Sequence, residues 1–289
     1  MERATIGVIG GSGLYAIEGL ANVREMEIDT PYGAPSDALV LGELAGVPVA
    51  FLPRHGRGHR ISPSELPARA NIWAFKNIGV THVISVSAVG SLREDLAPRD
   101  VVIPDQLLDR TKGVRPASFF GDGVVVHIAF AEPYCPELRR VLYQAAAETE
   151  GNVHDGATMV VMEGPQFSTK AESFFYRQIG GDLIGMTALP EAKLAREAEL
   201  CYSTLAMVTD YDCWHASEES VTVEMVVANL MANVGRSKEI LRLAIPRIAE
   251  LERTCSCGHA LADALITQPD AIPTERRAEL SLLLGKYLA

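Results

Sequence analysis

Short apolar runs alternate with helical segments along this chain of 289 residues, and no other feature restricts its fold as strongly. The runs TIGVIG, VPVAFLP, THVISVSAVGSL and CYSTLAMVTD have the length and composition of buried strands. Between them, segments such as LPARANIWAFKNIG and PELRRVLYQAAAETEG have helical spacing. Strands that alternate with helices form a parallel or mixed sheet covered on both faces. We therefore predict an α/β fold: a single domain over residues 1–289, with a mixed central β-sheet flanked by helices and a helical C-terminal tail from about residue 258.

Local patterns predict individual elements of this domain. ALVLGEL and VPVAFLP flank Ala45-Gly46 and predict a hairpin, and DVVIPDQLL predicts one further strand. HIAFA, which begins at His127, predicts an apolar strand. Thr169 and Glu172 have the spacing of a capping box at the start of a helix. The last segment, from Thr274, has the pattern of one helix.

Composition and charge exclude several classes of protein. The net charge of −11 disfavours a general nucleic-acid-binding surface. No apolar run reaches the roughly 18 residues that a membrane span needs, so no membrane partner is expected. The five cysteines are few and odd in number, and the N-terminus has no signal-peptide pattern. We therefore expect a cytoplasmic protein with mostly reduced thiols.

Loops at the strand ends are where a sheet of this kind binds ligands. After the first strand, GGSGL offers backbone N–H groups and the hydroxyl of Ser12 to an anion, although an ordinary tight turn explains these glycines equally well. The same stretch matches a dinucleotide-binding fingerprint. That motif should open a long helix, which Gly19 interrupts, and we reject a nicotinamide cofactor on this ground.

A second loop, PRHGRGHR, concentrates three arginines and two histidines in eight residues of an acidic chain. Arginine binds oxyanions through two parallel hydrogen bonds, so Arg54 and the adjacent His55 are candidate phosphate ligands. We expect Arg57, His59 and Arg60 to form an exposed basic loop. The histidines lack a clear set of further metal ligands, and no metal site is predicted.

Three more strand ends carry candidate residues. Ser87 and the backbone of Ala88 can complete an anion site, although close packing alone explains such small residues. At the end of DLIGMT, Thr187 can donate to an anion and Met186 can cover an apolar ligand face, although a methionine there usually belongs to the core. Phe167 precedes a helix and can stack on an aromatic ligand, with a place in the core as the plainer interpretation.

The strand CYSTLAMVTD ends in two acids, Asp210 and Asp212. Residues i and i+2 of an extended chain point the same way, so the two carboxylates are expected side by side. Like charges repel and desolvation of a carboxylate is costly. Such an arrangement at the tip of a buried strand indicates a functional requirement.

Taken in order, these loops closely resemble the trimeric purine-nucleoside phosphorylase family, and in particular its 5′-methylthioadenosine phosphorylase branch. The resemblance covers about residues 5–250 and is carried by GGSGLY, PRHGRGH, AVGSLREDL, EGPQFSTKAES, MTALPEAKLAREAELCY and TDYDCW. It implies a purine/uridine phosphorylase-like fold, and conversion of methylthioadenosine and phosphate to adenine and 5-methylthioribose 1-phosphate. It also implies a homotrimer or a dimer of trimers, and no metal or organic cofactor, since phosphate is a co-substrate.

The resemblance also assigns site residues. The implied phosphate ligands are Ser12, Arg54, His55, Ser87, Ala88 and Thr187. The implied contacts to the nucleoside are Met186 at the ribose, Phe167 at the base, and His127 reaching into a neighbouring subunit's site. Asp210 and Asp212 would face the purine as the catalytic pair, with Asp210 sharing a proton at N7 and Asp212 supporting it. Ser168 and Val223 match positions that shape the base pocket, and Ser168 with Asp210 would favour a 6-amino over a 6-oxo purine.

Three other functions remain open from the sequence. The nearest rival is a phosphorylase for 6-oxopurine nucleosides such as inosine or methylthioinosine. A hydrolytic nucleosidase would use water instead of phosphate, against which the basic loop argues. A nucleoside-binding sensor would keep the pocket without turnover, against which the presence of both the phosphate loops and the acids argues.

Cys255 and Cys257 form a C-x-C pair near the start of the tail. This spacing is too short for the usual C-x-x-C zinc or thioredoxin motif, so we predict a structural or redox-linked role without catalysis. Similar pairs in heat-stable members of the family make a stabilising disulfide one interpretation. Two surface thiols are the simpler one.

Overall fold

A computed structural model describes residues 4–11, 14, 16–215 and 223–288. Within these residues, one mixed sheet contains eleven strands: β1 (Ile6–Gly10), β2 (Leu20–Met26), β3 (Leu39–Leu44), β4 (Val47–Pro53), β5 (His82–Ser91), β6 (Val101–Ile103), β7 (Gln106–Arg110), β8 (Val153–Asp155), β9 (Thr158–Met162), β10 (Leu183–Gly185) and β11 (Cys201–Tyr211). The α-helices are α1 (Ala68–Asn77), α2 (Pro136–Ala147), α3 (Lys170–Gln178), α4 (Ala188–Glu197), α5 (Val223–Ala249), α6 (Thr274–Glu279) and α7 (Ser281–Leu284).

The central strand β5 positions the rest of the sheet. Along one edge it pairs with β11 in parallel, from the pair Cys201–His82 to the pair Tyr211–Ser91. Along the other edge, β1 is parallel to residues 82–85, and β10 is antiparallel to residues 90–91. In the described part of the chain, residues 86–89 therefore have no strand beside them on that second edge. This opening lies at the carboxyl end of β1, where sheets of this class bind ligands.

Helices cover both faces of the sheet, as alternating strands and helices require. One face packs against α1, α4 and the tail, in a core cluster that includes Ile9, Phe75, Leu194 and Leu284. The opposite face packs against α2 and α5, in a cluster that includes Val8, Ile84, Leu142 and Leu241. Neighbouring residues of β1 thus enter opposite clusters, which is the alternation of a strand buried on both sides. Among the described residues, no helix combines the length and apolar composition that crossing a membrane requires.

The predicted hairpin is confirmed, since β3 and β4 pair antiparallel around Ala45 and Gly46. The single strand predicted for DVVIPDQLL is wrong. It divides at Pro104 into β6, which pairs with β11 and β8, and β7, which pairs with β9. Proline has no N–H to continue a ladder, so a change of partner strand at this residue is physically reasonable.

Two further local predictions are wrong. The tail from Thr274 forms two short helices instead of one, with a break at Leu280 that lets both Leu280 and Leu284 enter the core. His127 does not lie in a strand. It is exposed, and its backbone N–H donates to the carbonyl oxygen of Ala264 at 2.8 Å, beside the tail. An apolar run is not sufficient for a strand, because the run must also pair with a neighbouring strand.

Glu197 at the end of α4 makes the stability of this fold depend on pH. The side chain is buried, and it accepts hydrogen bonds of 2.7 Å from the backbone N–H of Phe119 and from the hydroxyl of Ser118. Burial outweighs these bonds and raises the pKa of Glu197 from 4.5 to about 7. Between pH 4.5 and about 7, the folded state therefore still holds a proton on Glu197 that the unfolded state has already lost. This contribution to stability is therefore complete below pH 4.5 and is lost as pH rises to about 7.

We expect Glu197→Gln to flatten this part of the curve of unfolding free energy against pH, because an amide has no proton to lose. Urea unfolding at several pH values between 4.5 and 7 measures the slope. The exposed Glu250→Gln is the matched control and should keep the wild-type slope. A wild-type slope in Glu197→Gln would contradict the assignment.

Candidate active site

The paired acids lie at the tip of β11, beside the open edge of β5. A register shift between Val208 and Asp210 makes Thr209 an extra residue, so that Asp210 lies opposite Gly90. A Cβ atom on Gly90 would lie 3.0 Å from Asp210 Oδ1 and 3.6 Å from Asp212 Cβ. Both acids therefore approach the same glycine, which confirms that they lie side by side, and a side chain at position 90 would crowd Asp210.

The two carboxylates differ in their partners. Oδ2 of Asp210 accepts a hydrogen bond of 2.7 Å from the hydroxyl of Thr209. Oδ2 of Asp212 is buried and has no hydrogen-bond partner among the residues that the structure describes. A buried acceptor without a donor is costly, so an N–H donor placed beside Asp212 would remove this cost.

Hydroxyl groups surround the opening along β5. Ser87 Oγ lies 3.5 Å from Thr187 Oγ1 and 3.4 Å from Ser85 Oγ. Ala88 is exposed although the residues on either side of it in this central strand are buried. An exposed alanine in the middle of a sheet forms the floor of a depression, and the two nearest hydroxyls can donate to an anion placed there.

Arg54 is buried at the same opening, with 2% of its surface exposed. Its Nε and Nη2 atoms donate to the two carboxylate oxygens of Glu191 at 2.6 and 3.2 Å. Its Nη1 donates to the carbonyl of Val86 at 3.0 Å, on the stretch of β5 that has no neighbouring strand, and its Nη2 donates to Ser85 Oγ at 2.7 Å. Arg54 thus fixes the hydroxyl network, and Glu191 balances its charge. Its contact with phosphate stays a prediction.

His55 is a neutral member of this group. Its Nδ1 lies 2.8 Å from the carbonyl oxygen of Ile61, so an Nδ1–H donates there and Nε2 is left as an acceptor. Burial, and then the neighbouring charge of Arg54, lower the pKa of His55 to about 4. At neutral pH the ring can therefore accept a hydrogen bond from a protonated phosphate oxygen, but it brings no positive charge.

Met186 and Thr187 are held in place by a residue that the sequence patterns did not indicate. The buried Arg115 donates to the carbonyl oxygens of Met186, Leu189 and Glu163 at 2.5, 2.9 and 2.5 Å. Gly164 has φ +70°, and a Cβ there would lie 2.5 Å from the sulfur of Met186. Arg115 and Gly164 together fix the end of β10 against the end of β9.

Phe167 and Ser168 lie in the loop between β9 and α3. Phe167 is 46% exposed, so the plainer interpretation of a core aromatic is wrong. Thr169 caps α3 and forms the predicted capping box with Glu172, which confirms that prediction. The Ser168 hydroxyl points to the sulfur of Met162 at 3.6 Å, while its carbonyl accepts from Cys213 in TDYDCW at 3.3 Å. Ser168 therefore connects this loop with the segment that carries the paired acids.

A family model described as the Phosphorylase superfamily matches residues 5–246. The chain belongs to this superfamily. The mixed sheet flanked by helices is the fold that the sequence predicted for it.

Several relatives in this superfamily are similar to the chain along nearly its whole length. It is 60% identical to the S-methyl-5′-thioadenosine phosphorylase of Chloroflexus aurantiacus, over 99% of both chains. It is 55% identical to the protein of the same name from Geobacter sulfurreducens, over 100% of both chains. A crystal structure of a methylthioadenosine phosphorylase from an antarctic soil metagenomic library superposes with a TM-score of 0.94. That structure is 51% identical and covers 98% of this chain and 100% of its own.

Two predicted residues, Phe167 and His127, lie in other described parts of the structure than the opening at β5. A cavity of about 360 Å³ lies beside it at the ends of β7 and β9, and Phe167 is the one predicted site residue among those that line it. His127 lies beside the tail, where its N–H donates to the carbonyl oxygen of Ala264. Ser12 and the side chain of Val223 lie outside the described residues.

The rest of the basic loop is confirmed as an exposed surface. Arg57 pairs with Glu25 at 2.8 Å, and the side chain of Arg60 is 64% exposed. His59 is exposed as well and stacks on His55, with ring centroids 4.2 Å apart. These side chains leave Arg54 as the buried cation of the loop.

Sequence reasoning missed Glu191 and Arg115. Glu191 stands in the motif MTALPEAKLAREAELCY, directly after Pro190, and an acid in the first turn of a predicted helix was its available signal. Arg115 stands in the loop segment KGVRPAS, where the sequence has no periodicity that would reveal a buried residue.

Proposed function

We propose that this chain catalyses the phosphorolysis of S-methyl-5′-thioadenosine to adenine and 5-methylthioribose 1-phosphate, a transfer of a pentosyl group. The observation that carries this proposal is full-length identity of up to 60% to relatives named for that activity. The paired acids and the hydroxyl-lined opening supply matching chemistry. The purine would lie against Asp210 and Asp212, and phosphate against Ser87 and Thr187, with the ribose between them.

Phosphate is the nucleophile in this proposal. The monohydrogen phosphate dianion accepts hydrogen bonds from the hydroxyls of Ser87 and Thr187 and from the N–H of Ala88, while its own O–H donates to Nε2 of His55. Ser12 and Arg54 complete the proposed site. A phosphate oxygen bonds to C1′ as the bond from C1′ to N9 breaks, and its negative charge stabilises the positive charge that develops on the sugar.

The departing adenine takes the electron pair of the broken bond, and it needs one proton. Monohydrogen phosphate has one proton more than the phosphate ester in the product, so the proton balance closes without an external acid. Asp210 shares a proton with N7, and the unpartnered Oδ2 of Asp212 accepts from the exocyclic N6 amino group. Met186 covers the ribose, and Phe167 and Val223 bound the base. No metal or organic cofactor takes part.

Phosphate dependence is the direct test. Purified protein should release adenine from S-methyl-5′-thioadenosine only when phosphate is present, with 5-methylthioribose 1-phosphate as the second product. Equal release without phosphate would indicate a hydrolytic nucleosidase and would contradict the proposal. Binding without release would indicate a sensor, and faster turnover of methylthioinosine would indicate a 6-oxopurine enzyme.

The same proposal includes a cytoplasmic homotrimer, or a dimer of trimers, in which His127 completes the site of an adjacent subunit. Exposed apolar side chains support a subunit contact in two places: Val125 and Ile266 lie beside the segment of His127, and Phe174, Phe175 and Ile179 lie at α3. Monomers rarely expose such groups together.

His127→Ala is expected to lower kcat/KM for S-methyl-5′-thioadenosine by about 2- to 13-fold, which corresponds to one lost hydrogen bond of ~0.5–1.5 kcal/mol. The oligomer should persist, as measured by analytical ultracentrifugation. His259→Ala, an exposed histidine of the tail, is the control and should keep wild-type kinetics. A wild-type protein that sediments as a fully active monomer would rule out this part of the proposal.

A further inference from the structure

Four of the five cysteines converge at one place, away from the opening at β5. The sulfur atoms of Cys135, Cys201, Cys255 and Cys257 all lie within 4.8 Å of one another. The sulfurs of Cys201 and Cys255 are 3.4 Å apart. The fifth, Cys213, lies near Ser168 and belongs to TDYDCW. All five belong to the described residues and are free thiols.

Three separate parts of the fold contribute to this thiol cluster. Cys135 precedes the first residue of α2, and its N–H donates to the carbonyl of Tyr202 at 2.8 Å. Cys201 is the first residue of β11. Cys255 and Cys257 follow α5. The cluster therefore lies where the segment after α5 returns to the sheet, and a bond among these sulfurs would join three elements.

Three of the four cysteines are buried and Cys255 is partly exposed, so the interpretation of Cys255 and Cys257 as two surface thiols is wrong for Cys257. Cys257 is 2% exposed, Cys135 is 1% exposed and Cys201 is 0% exposed. A C-x-C pair is too closely spaced to hold a zinc ion alone, and for this reason no zinc site was predicted from the sequence. The fold supplies the two missing ligands from positions 54 and 120 residues before Cys255.

The geometry fits a tetrahedral ion. A zinc ion with bonds of about 2.3 Å to four sulfurs needs them about 3.8 Å apart. One separation is 3.4 Å and none exceeds 4.8 Å, which is close to that value, so small rotations of the side chains are enough. Thiolate sulfur is also the ligand type that selects zinc over the hard cations.

A second group of contacts suits a negatively charged complex. One Zn²⁺ and four thiolates carry two negative charges, and Arg253 lies against them. Its Nε donates to the sulfur of Cys201 at 3.2 Å, and its Nη2 donates to the carbonyl of Glu199 at 2.5 Å, which fixes the guanidinium in place. Partners of this kind orient the ligands of structural metal sites and tune their charge.

We propose that Cys135, Cys201, Cys255 and Cys257 bind one Zn²⁺ as a closed tetrathiolate site. Binding exchanges the thiol protons for the ion, so up to four protons are released and no electron is transferred. All four positions of the tetrahedron are filled by protein, so the ion stabilises the fold and takes no part in the proposed reaction. This structural metal differs from the sequence prediction that the chain has no metal site.

Metal content of the whole protein tests the proposal. The protein is purified without a metal-affinity tag, in a phosphine reductant, and its metals are measured by plasma mass spectrometry. About one zinc per chain is expected. In Cys257→Ser the zinc content should fall at least tenfold, while the matched control Cys213→Ser should keep the wild-type content. Equal zinc in wild type and Cys257→Ser, or iron in place of zinc, would overturn the assignment.

Wild-type protein alone decides the question if the cysteine variants do not fold. After removal of the ion with a chelator, Co²⁺ should produce the visible absorption bands of a tetrahedral thiolate complex, and added Zn²⁺ should abolish them. The metal-free protein should also melt several degrees lower than the zinc form. Metal-free wild type that retains all five titratable thiols and produces no Co²⁺ bands would disprove the site. A mass decrease corresponding to the loss of the thiol hydrogens would show disulfides instead.

Discussion

Asp210→Asn is expected to lower kcat/KM for S-methyl-5′-thioadenosine by about 10²–10⁴-fold, because an amide cannot share a proton with N7 of the departing adenine. The same change should remove most of the preference for a 6-amino purine. The amide nitrogen of an asparagine can donate to O6 of a 6-oxopurine, and its amide oxygen can accept from the N7–H that forms as the base departs. The wild type has an acid at this position, and each mispaired buried group costs about 1–3 kcal/mol.

The measurement compares methylthioadenosine with methylthioinosine in the two proteins. Wild type should strongly prefer the amino substrate, and Asp210→Asn should turn over both substrates slowly and at more similar rates. Asp95→Asn replaces an exposed carboxylate and is the control for the loss of one charge. Faster turnover of methylthioinosine by wild type would contradict the proposed roles of Asp210 and Ser168.

Arg54→Met is expected to lower the free energy of unfolding by about 3–5 kcal/mol, because it leaves the carboxylate of Glu191 buried without its partner. The side chains of this pair are 3% and 1% exposed. Glu191→Gln should be destabilising for the reciprocal reason. The double variant should recover most of the loss, since it removes both charges together.

Urea unfolding measures the stabilities, and the exposed pair of Arg247 and Glu148 supplies the control. Arg247→Met should leave the urea midpoint almost unchanged. Phosphate-dependent turnover separates the two roles of Arg54. If it binds phosphate, the stable double variant remains inactive at ordinary phosphate concentrations. A stable double variant with wild-type phosphate kinetics would limit Arg54 to a structural role.

The sequence predicted the features that depend on neighbours along the chain. The β3–β4 hairpin, the capping box of α3 and the shared side of Asp210 and Asp212 all arise from patterns of two to four residues. β2 was missed because its sequence, LANVREM, is mostly exposed and has little apolar periodicity. Its pairing with β3 makes it a strand, and no local pattern reports that pairing.

Features that depend on distant partners could not be predicted in the same way. Arg54 and Glu191 are 137 residues apart, so a basic loop gave no indication that its arginine was already paired. The thiol cluster joins three segments, of which the C-x-C pair alone was conspicuous in the sequence. The burial of charge and the convergence of ligands depend on which distant residues the folded sheet brings together. No local pattern in a single sequence shows these pairings.

The extra residue at Thr209 divides β11 into two parts that natural selection can alter separately. From Cys201 to Val208 the strand keeps one continuous register with β5, and these residues form the core. Beyond Thr209 the chain carries the side chains proposed to face the base. A substitution at the tip can therefore change which purine is accepted while the ladder behind it stays intact. A deletion in the same strand would shift the acids relative to Gly90. Lineages that exchange one base for another should accordingly differ here by replacement, and the length of β11 should be constant among them.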